Sequence, residues 1–232
     1  MIEITWLGHA TVQFRLESGE VILMDPWIDG NPMYPKDHKI DRLDAILISH
    51  AHFDHIHDAV PLAKKFKPKV VAIYETCVWL TSKGVGTCSG MNKGGTQEVG
   101  SLKATMTHAI HSCGIQDGEQ ILYGGEAAGY ILHLPDKRAI YFAGDTAVFS
   151  DMQLLEKLYK PELAFLPIGD FYTMGPREAA LACRLLNVKK AIPMHFGTFP
   201  ALIGTPAELA RELKDFPRTE VWPIEIGKPV KW

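Results

Sequence analysis

The 232-residue chain has no run of apolar residues approaching the ~20 that a bilayer-spanning helix needs. Its first residues lack the basic region and apolar stretch of a secretion signal, so a cytoplasmic address is the default expectation. Cysteine is sparse. Cys77, Cys88, Cys113 and Cys183 include no Cys-x-x-Cys pair, which argues against a disulfide framework and for reduced, mostly buried thiols. No sign of charge dominates: the formal net charge is -3, and neither the basic stripe of a nucleic-acid binder nor an acidic tail is visible. No polar linker divides the chain.

What is present is the composition of a globular protein with a substantial core, 47% apolar and 22% charged. Strand-like segments open the chain at Ile2–Leu7, Thr11–Leu16 and Val21–Met24, followed by a proline-rich loop from Asp25 to Asp41 long enough to overhang a pocket. Leu43–Ser49 reads as a buried strand, His57–Lys65 as a helix packed on a sheet, Lys69–Tyr74 as a strand and Glu75–Lys83 as a short helix. Glycine-rich Gly84–Gly95 reads as a loop. Strands follow at Glu98–His108, Ala127–Leu134 and Arg138–Ala143, with a turn at Asp117-Gly118 between the first two. Beyond them come a helix at Met152–Tyr159, a strand at Leu163–Ile168, a helix from Gly175-Pro176 to Leu186 and a strand at Lys190–Met194. Thr205, Pro206 and Glu208 form a capping box for a helix running to about Phe216, and Val221–Ile226 and Val230–Trp232 close the chain as strands. Strand-rich and strand-helix textures each occur twice, with no repeat visible residue by residue. The expected class is α/β, two sheets packed face to face with helices outside.

The segment Ser49-His50-Ala51-His52-Phe53-Asp54-His55 places three imidazoles and a carboxylate within six positions, directly after a buried strand. These are the donors of a borderline cation such as zinc, and one short turn cannot direct all four at a single ion. His111, Asp145 and His195 each stand past the end of an apolar strand in the same way. Two adjacent ions need about three protein ligands each plus a bridge. His50, His52 and His111 can serve one, Asp54, His55 and His195 the other, and Asp145 can bridge. His108 is the rival of His111, but it lies within a strand, whereas His111 lies in the loop beyond it. His9, in a strand-end turn, is read as a substrate contact or proton donor, against the alternative of a surface histidine. Asp25, Asp170, Tyr172 and Thr173 are expected to bond to the ligands or the substrate, against the alternative of loop caps. His57, at a helix start, is read as solvent-exposed or as support for a ligand. Cys113 follows His111 closely, with plain packing the expectation.

His50-Ala51-His52-Phe53-Asp54-His55 resembles the signature of the metallo-beta-lactamase superfamily. The chain as a whole is similar to its branch of small metal-dependent hydrolases, akin to the bacterial ascorbate-phosphate lactonase group. The further landmarks are Trp6-Leu7-Gly8-His9, Leu23-Met24-Asp25-Pro26, Ala109-Ile110-His111-Ser112, Ala143-Gly144-Asp145-Thr146, Leu166-Pro167-Ile168-Gly169-Asp170, Thr173-Met174-Gly175-Pro176 and Pro193-Met194-His195-Phe196. The resemblance implies one metallo-hydrolase domain over residues 1–232, a four-layer αβ/βα sandwich with metals at one edge of the facing sheets, and the ligand split just given. It implies His111 rather than His108 as the third histidine.

The expected activity is hydrolysis of a small ester, lactone or related carbonyl substrate by hydroxide generated at two divalent ions. Asp54 would orient the nucleophile and His9 assist the leaving group. Zinc is the first expectation, with manganese, iron or nickel as alternatives. A phosphodiesterase or nuclease and a non-catalytic metal-binding protein are the competing readings. A small-molecule partner is expected, nucleic acid and membrane are not, and a homo-oligomer is left open.

Overall fold

The computed structural model describes all 232 residues. One mixed sheet contains β1 (Ile2–Trp6), β2 (Val12–Leu16), β3 (Val21–Met24), β4 (Ala45–Leu47), β5 (Lys69–Ile73) and β6 (Cys88–Met91). The second contains β7 (Thr96–Val99), β8 (Leu102–His108), β11 (Ala128–His133), β12 (Ala139–Phe142), β13 (Leu163–Pro167), β14 (Lys190–Met194) and β15 (Glu220–Val221). The hairpin β9 (Gly114–Asp117) and β10 (Gln120–Tyr123) stands apart, and β16 (Val230–Lys231) returns to pair with β1.

Sequence pattern accounts for the layers. In β2, Val12, Phe14 and Leu16 are buried on one face, while on the other Gln13 is buried and Arg15 exposed; β3 and β12 are buried at every position and read as continuous apolar runs. The inner faces meet through side chains such as Ile4, Ile22 and Leu47 from one sheet and Tyr130, Phe142 and Ile192 from the other. The Phe14 and Phe165 rings meet edge-on at 5.5 Å across this interface, a favoured geometry for aromatic quadrupoles.

Helices α2 (Ala59–Phe66) and α3 (Tyr74–Ser82) serve the first sheet, after the single turn α1 (Phe53–Ile56). Helices α4 (Met152–Tyr159), α5 (Pro176–Leu186) and α6 (Pro206–Glu212) cover the second, where Met152, Ala179, Cys183 and Leu209 share a second apolar cluster with Tyr141 and Leu166. The result is the four-layer αβ/βα sandwich. Pro176 occupies the first turn of α5, and Asn187 ends it at φ 51°, a left-handed conformation that asparagine tolerates. The capping box of α6 is formed: the Glu208 N–H donates to Thr205 Oγ1 at 3.2 Å and the Thr205 N–H donates to Glu208 Oε2 at 3.0 Å.

Pairing directions place the site. In the first sheet β1, β2 and β3 are antiparallel neighbours and β3, β4, β5 and β6 parallel ones. Hence β1, β3 and β4 all end at the same edge. In the second sheet β8, β11 and β12 are antiparallel and β12, β13 and β14 parallel, so β8, β12, β13 and β14 share one edge as well. Residues that follow these strands are thereby gathered, as ligands are at the carboxyl ends of open α/β sheets.

Several local expectations change. The stretch expected as loop, Gly84–Gly95, contains edge strand β6, because pairing with β5 supplies the hydrogen bonds that its composition does not advertise. The single strand expected over Glu98–His108 is two, turned at Gly100-Ser101. The helix expected from His57 begins at Ala59. The last helix stops at Glu212, and Val221–Ile226 contributes only the end of β15.

Candidate metal centre

Ser49 and the turn leading into α1 carry the histidine motif out of β4. His50 is buried with its Nε2 3.0 Å from His52 Nδ1, and His111 Nε2 lies 3.3 Å from the same His52 nitrogen. These three ring nitrogens form one group with ligand spacing. On the other side, Asp54, His55 and His195 form a second group, which also takes in His9. Asp145 stands between them. Its Oδ2 is 3.0 Å from His195 Nε2, 3.3 Å from His55 Nε2, 3.7 Å from His111 Nε2 and 3.8 Å from His50 Nε2. All seven residues named from the sequence as ligands therefore converge.

The hydrogen bonds around the rings fix which nitrogen faces inward. Asp25 is fully buried; its Oδ1 accepts from the Ser49 N–H at 2.7 Å, and its Oδ2 accepts from Ser49 Oγ at 2.6 Å and from His55 Nδ1 at 2.8 Å. Since the Ser49 hydroxyl donates to Asp25, the 3.0 Å contact between Ser49 Oγ and His50 Nδ1 has the ring as donor. Both His50 and His55 thus carry a proton on Nδ1 and present Nε2 toward Asp145, the arrangement by which an outer carboxylate or hydroxyl orients a ligand imidazole.

Charge and burial pull in opposite directions here. Burial pushes His50, His52 and His111 below the ordinary imidazole range, with His55 adding to the effect, so their lone pairs are free near neutral pH. His55 is the exception: burial opposes its charge, yet the carboxylates of Asp145, Asp25 and Asp54 together raise it well above that range. Burial likewise works against ionised Asp54 and Asp145, but nearby His55 takes Asp54 down to about 2, and His195 and His55 hold Asp145 well below the usual carboxylate range. Buried His55 Nε2, Asp145 Oδ1 and both ring nitrogens of His195 have no hydrogen-bond partner; the close approach of His195 Nε2 to Asp145 lacks hydrogen-bond geometry. Unpartnered buried donors and acceptors are costly. Free imidazole lone pairs around two ionised carboxylates are the donor set of divalent cations, and the residues fit such a group.

The loops are locked to one another. The His195 N–H donates to the His9 carbonyl at 3.0 Å, the Ile110 N–H to Thr146 Oγ1 at 3.0 Å, and the Tyr130 hydroxyl to the Ile48 carbonyl at 2.8 Å. His9, Asp25 and His195 have φ of 54°, 43° and 54°, non-glycine residues in the left-handed region, where strain is tolerated only when surroundings impose it. Gly144, at φ 62°, lets two of these loops pack closely: a Cβ there would stand 2.6 Å from Ser49 Cβ.

Other expectations sort by position. His9 is buried, not at the surface. Burial first, and His195 next, take it down to about 4, so the neutral ring donates from Nε2 to Asp54 Oδ2 at 2.9 Å, while Nδ1 lies 2.9 Å from Thr198 Oγ1. Both nitrogens are engaged, one of them on Asp54, and His9 is not among the residues that line the pocket. His108 is exposed and meets Lys93 Nζ at 3.2 Å, while His57 is exposed beside Asp58. Cys113 packs beneath the motif, its Sγ accepting from the Ala51 N–H at 3.3 Å. Of the supporting residues, Asp25 touches His55 and Tyr172 lines the pocket. Asp170 and Thr173 are corrected: the Asp170 carboxylate accepts from the Phe171 N–H and Thr173 Oγ1 bonds to the Met174 carbonyl, both within their own turn. The reason is steric. The His195 segment crosses directly over Gly169, where any Cβ would strike the His195 carbonyl, leaving Asp170 exposed outside.

The residues that sequence reasoning missed are Ser49, Thr198 and the pocket wall other than Tyr172. Ser49 and Thr198 lie next to, or three positions after, a ligand histidine, and only that proximity could have signalled them. The pocket, about 750 Å³, reaches His52, Asp54, His111, Asp145 and His195 and is walled by Phe53, Phe199, Ile121 and Tyr172, with Ser112 and Gln116 as polar members. Its volume is that of a small-molecule site. No helix is long and apolar enough to cross a membrane.

Comparison with known proteins bears on this arrangement. A family model, the beta-lactamase superfamily domain, matches residues 20–196. A UPF0173 metal-dependent hydrolase of Solibacter usitatus is 69% identical over 231 residues, covering 100% of both chains. Another from Koribacter versatilis is 55% identical and covers 90% of this chain and 91% of its own. Among solved structures, Igni18, a metallo hydrolase from the archaeon Ignicoccus hospitalis, matches with a TM-score of 0.86 at 32% identity, over 99% of this chain and 97% of that one.

Proposed function

The chain belongs to the beta-lactamase superfamily and is a metal-dependent hydrolase, and from that premise we propose that it holds two divalent cations and hydrolyses a small ester, lactone or related carbonyl substrate. In this reading His50, His52 and His111 hold one ion, Asp54, His55 and His195 the other, and Asp145 both. Zinc suits the donors, as do manganese, iron and nickel to differing degrees. Bound cations would lower the pKa of a water and polarise the scissile carbonyl.

The chain's own residues have separable tasks. Ser49 Oγ and Asp25 accept the Nδ1 protons of His50 and His55, so that Nε2 of each is the nitrogen turned toward a cation. His9, set by Thr198, donates to one Asp54 oxygen and restrains the carboxylate that lines the pocket. Water adds to the acyl carbon, the bond from acyl carbon to alcohol oxygen breaks, and the alcohol leaves with a proton. Residues 1–232 act as one metallo-hydrolase domain.

The observation that carries the reading is the position of Asp145 Oδ2, within 3.8 Å of four imidazole nitrogens drawn from both groups. Elemental analysis of the purified chain, followed by a panel of lactone, thioester and phosphodiester substrates, tests it. Two equivalents of metal per chain and selective turnover of the carbonyl substrates are expected. A single equivalent in active protein, or turnover confined to phosphodiesters, would overturn it.

A further inference from the structure

The pocket wall has a composition that the metal ligands do not explain. Apart from the proposed ligands, its lining contains no charged side chain: no lysine, arginine, aspartate or glutamate. One side is a constructed aromatic platform. Trp27, itself buried, stacks against Phe199 with centroids 5.7 Å apart and planes at 23°, and meets Phe53 edge-on at 5.7 Å. Phe53 and Phe199 are 6.4 Å apart and both line the pocket. Phe53, between the ligand candidates His52 and Asp54, is 52% exposed. The same lining includes Ile121, 75% exposed on the β9–β10 hairpin, and Tyr172, 57% exposed.

We propose that this pocket selects substrates with an uncharged apolar arm, aliphatic or aromatic, seated on the Phe53–Phe199 platform, and that it discriminates against substrates carrying a second anionic group. The inference rests on the ester and lactone reading above and specifies its substrate class. The physical reason is asymmetric. Apolar contact with two aromatic faces rewards each added methylene, whereas an anion placed against this wall gives up water and meets no cation in return. The proposed ions can receive one oxygen at the reacting centre, but nothing on the wall is placed to receive a second. Gln116, Ser112 and the Tyr172 hydroxyl offer only neutral hydrogen bonds.

The test compares matched esters on the metal-loaded enzyme: p-nitrophenyl hexanoate, its carboxylate-ended counterpart mono-p-nitrophenyl adipate, and p-nitrophenyl acetate. Hexanoate is expected to exceed adipate in kcat/KM by about tenfold or more, the scale on which apolar pockets discriminate. Phe199→Ala should reduce the hexanoate-to-acetate ratio about tenfold. Ile121→Lys, a change at an exposed site, should raise adipate turnover relative to hexanoate by supplying the missing cation. Equal or better use of adipate, or an unchanged hexanoate-to-acetate ratio in Phe199→Ala, would overturn the proposal while leaving the ester reading intact. If bis-(p-nitrophenyl) phosphate is cleaved and no ester is, the ester reading fails. The wall is then judged by calorimetric binding of hexananilide to the metal-loaded protein. Binding weakened about tenfold by Phe199→Ala supports the apolar seat, and no binding, or equal binding to both proteins, rejects it.

Discussion

The two sheets are built to one plan and carry two different chemistries. Counted from the antiparallel edge, each has three antiparallel pairings followed by three parallel ones, so β3 in the first corresponds to β12 in the second. Each of these strands runs into a buried aspartate at the shared edge, Asp25 and Asp145. Asp25 accepts three hydrogen bonds, two from Ser49 and one from His55. Asp145 has one oxygen without a partner and the other among four imidazole nitrogens. Equivalent topology supplies equivalent positions, while the neighbouring side chains decide whether a carboxylate orients a ligand or is left open for a cation.

The largest effect should come from removing the open carboxylate. Asp145→Ala is expected to lose metal from both groups and to lower hydrolysis by about a thousandfold or more, read by elemental analysis and kcat/KM. Wild-type metal content in that variant would dissolve the distinction between the two aspartates. Asp25→Asn removes the acceptor that holds His55 without touching a proposed ion. Metal affinity or activity should fall by about 10- to 100-fold, less than at Asp145, with the effect concentrated on the ion of the His55 group.

Acid should separate the two groups further. Lowered imidazole pKa values mean that protons compete for His50, His52 and His111 only below the ordinary 6.5, so that group should keep its ion below that pH. The raised proton affinity of His55 has the opposite sign, and its group should release metal first as pH falls. A pH titration with a chelating dye should therefore show two steps; one step at or above 6.5 would contradict the split. The smallest effect is expected at Asp170→Asn, which keeps the turn-capping acceptor and the tolerance for positive φ: kcat/KM and metal content within about twofold of wild type.

Legibility in the sequence followed the range of the interactions. The strand-to-ligand pattern at His50–His55, Asp145 and His195 was readable because a buried apolar run ending in a polar donor is a local signal. The core strands and α5 and α6 were readable for the same reason, through alternation, Pro176 and the Thr205–Glu208 box. Strand β6 was not, since its hydrogen bonds come from β5 and its own composition is that of a loop. Asp170 looked like Asp145 in sequence, a glycine-aspartate pair after an apolar strand, yet it lies outside the site because the His195 segment covers Gly169.

By itself, then, the order of residues determined which donors exist and at which strand ends they stand, because short-range periodicity and chain direction suffice for that. Only the tertiary structure decided that His9 supports Asp54 and does not reach the pocket, that Ser49 and Thr198 fix the rings, and that Phe53, Phe199, Ile121 and Tyr172 face one cavity. Those outcomes depend on contacts between residues up to 189 positions apart, as with His9 and Thr198, and no local pattern encodes a distance set by the packing of two sheets.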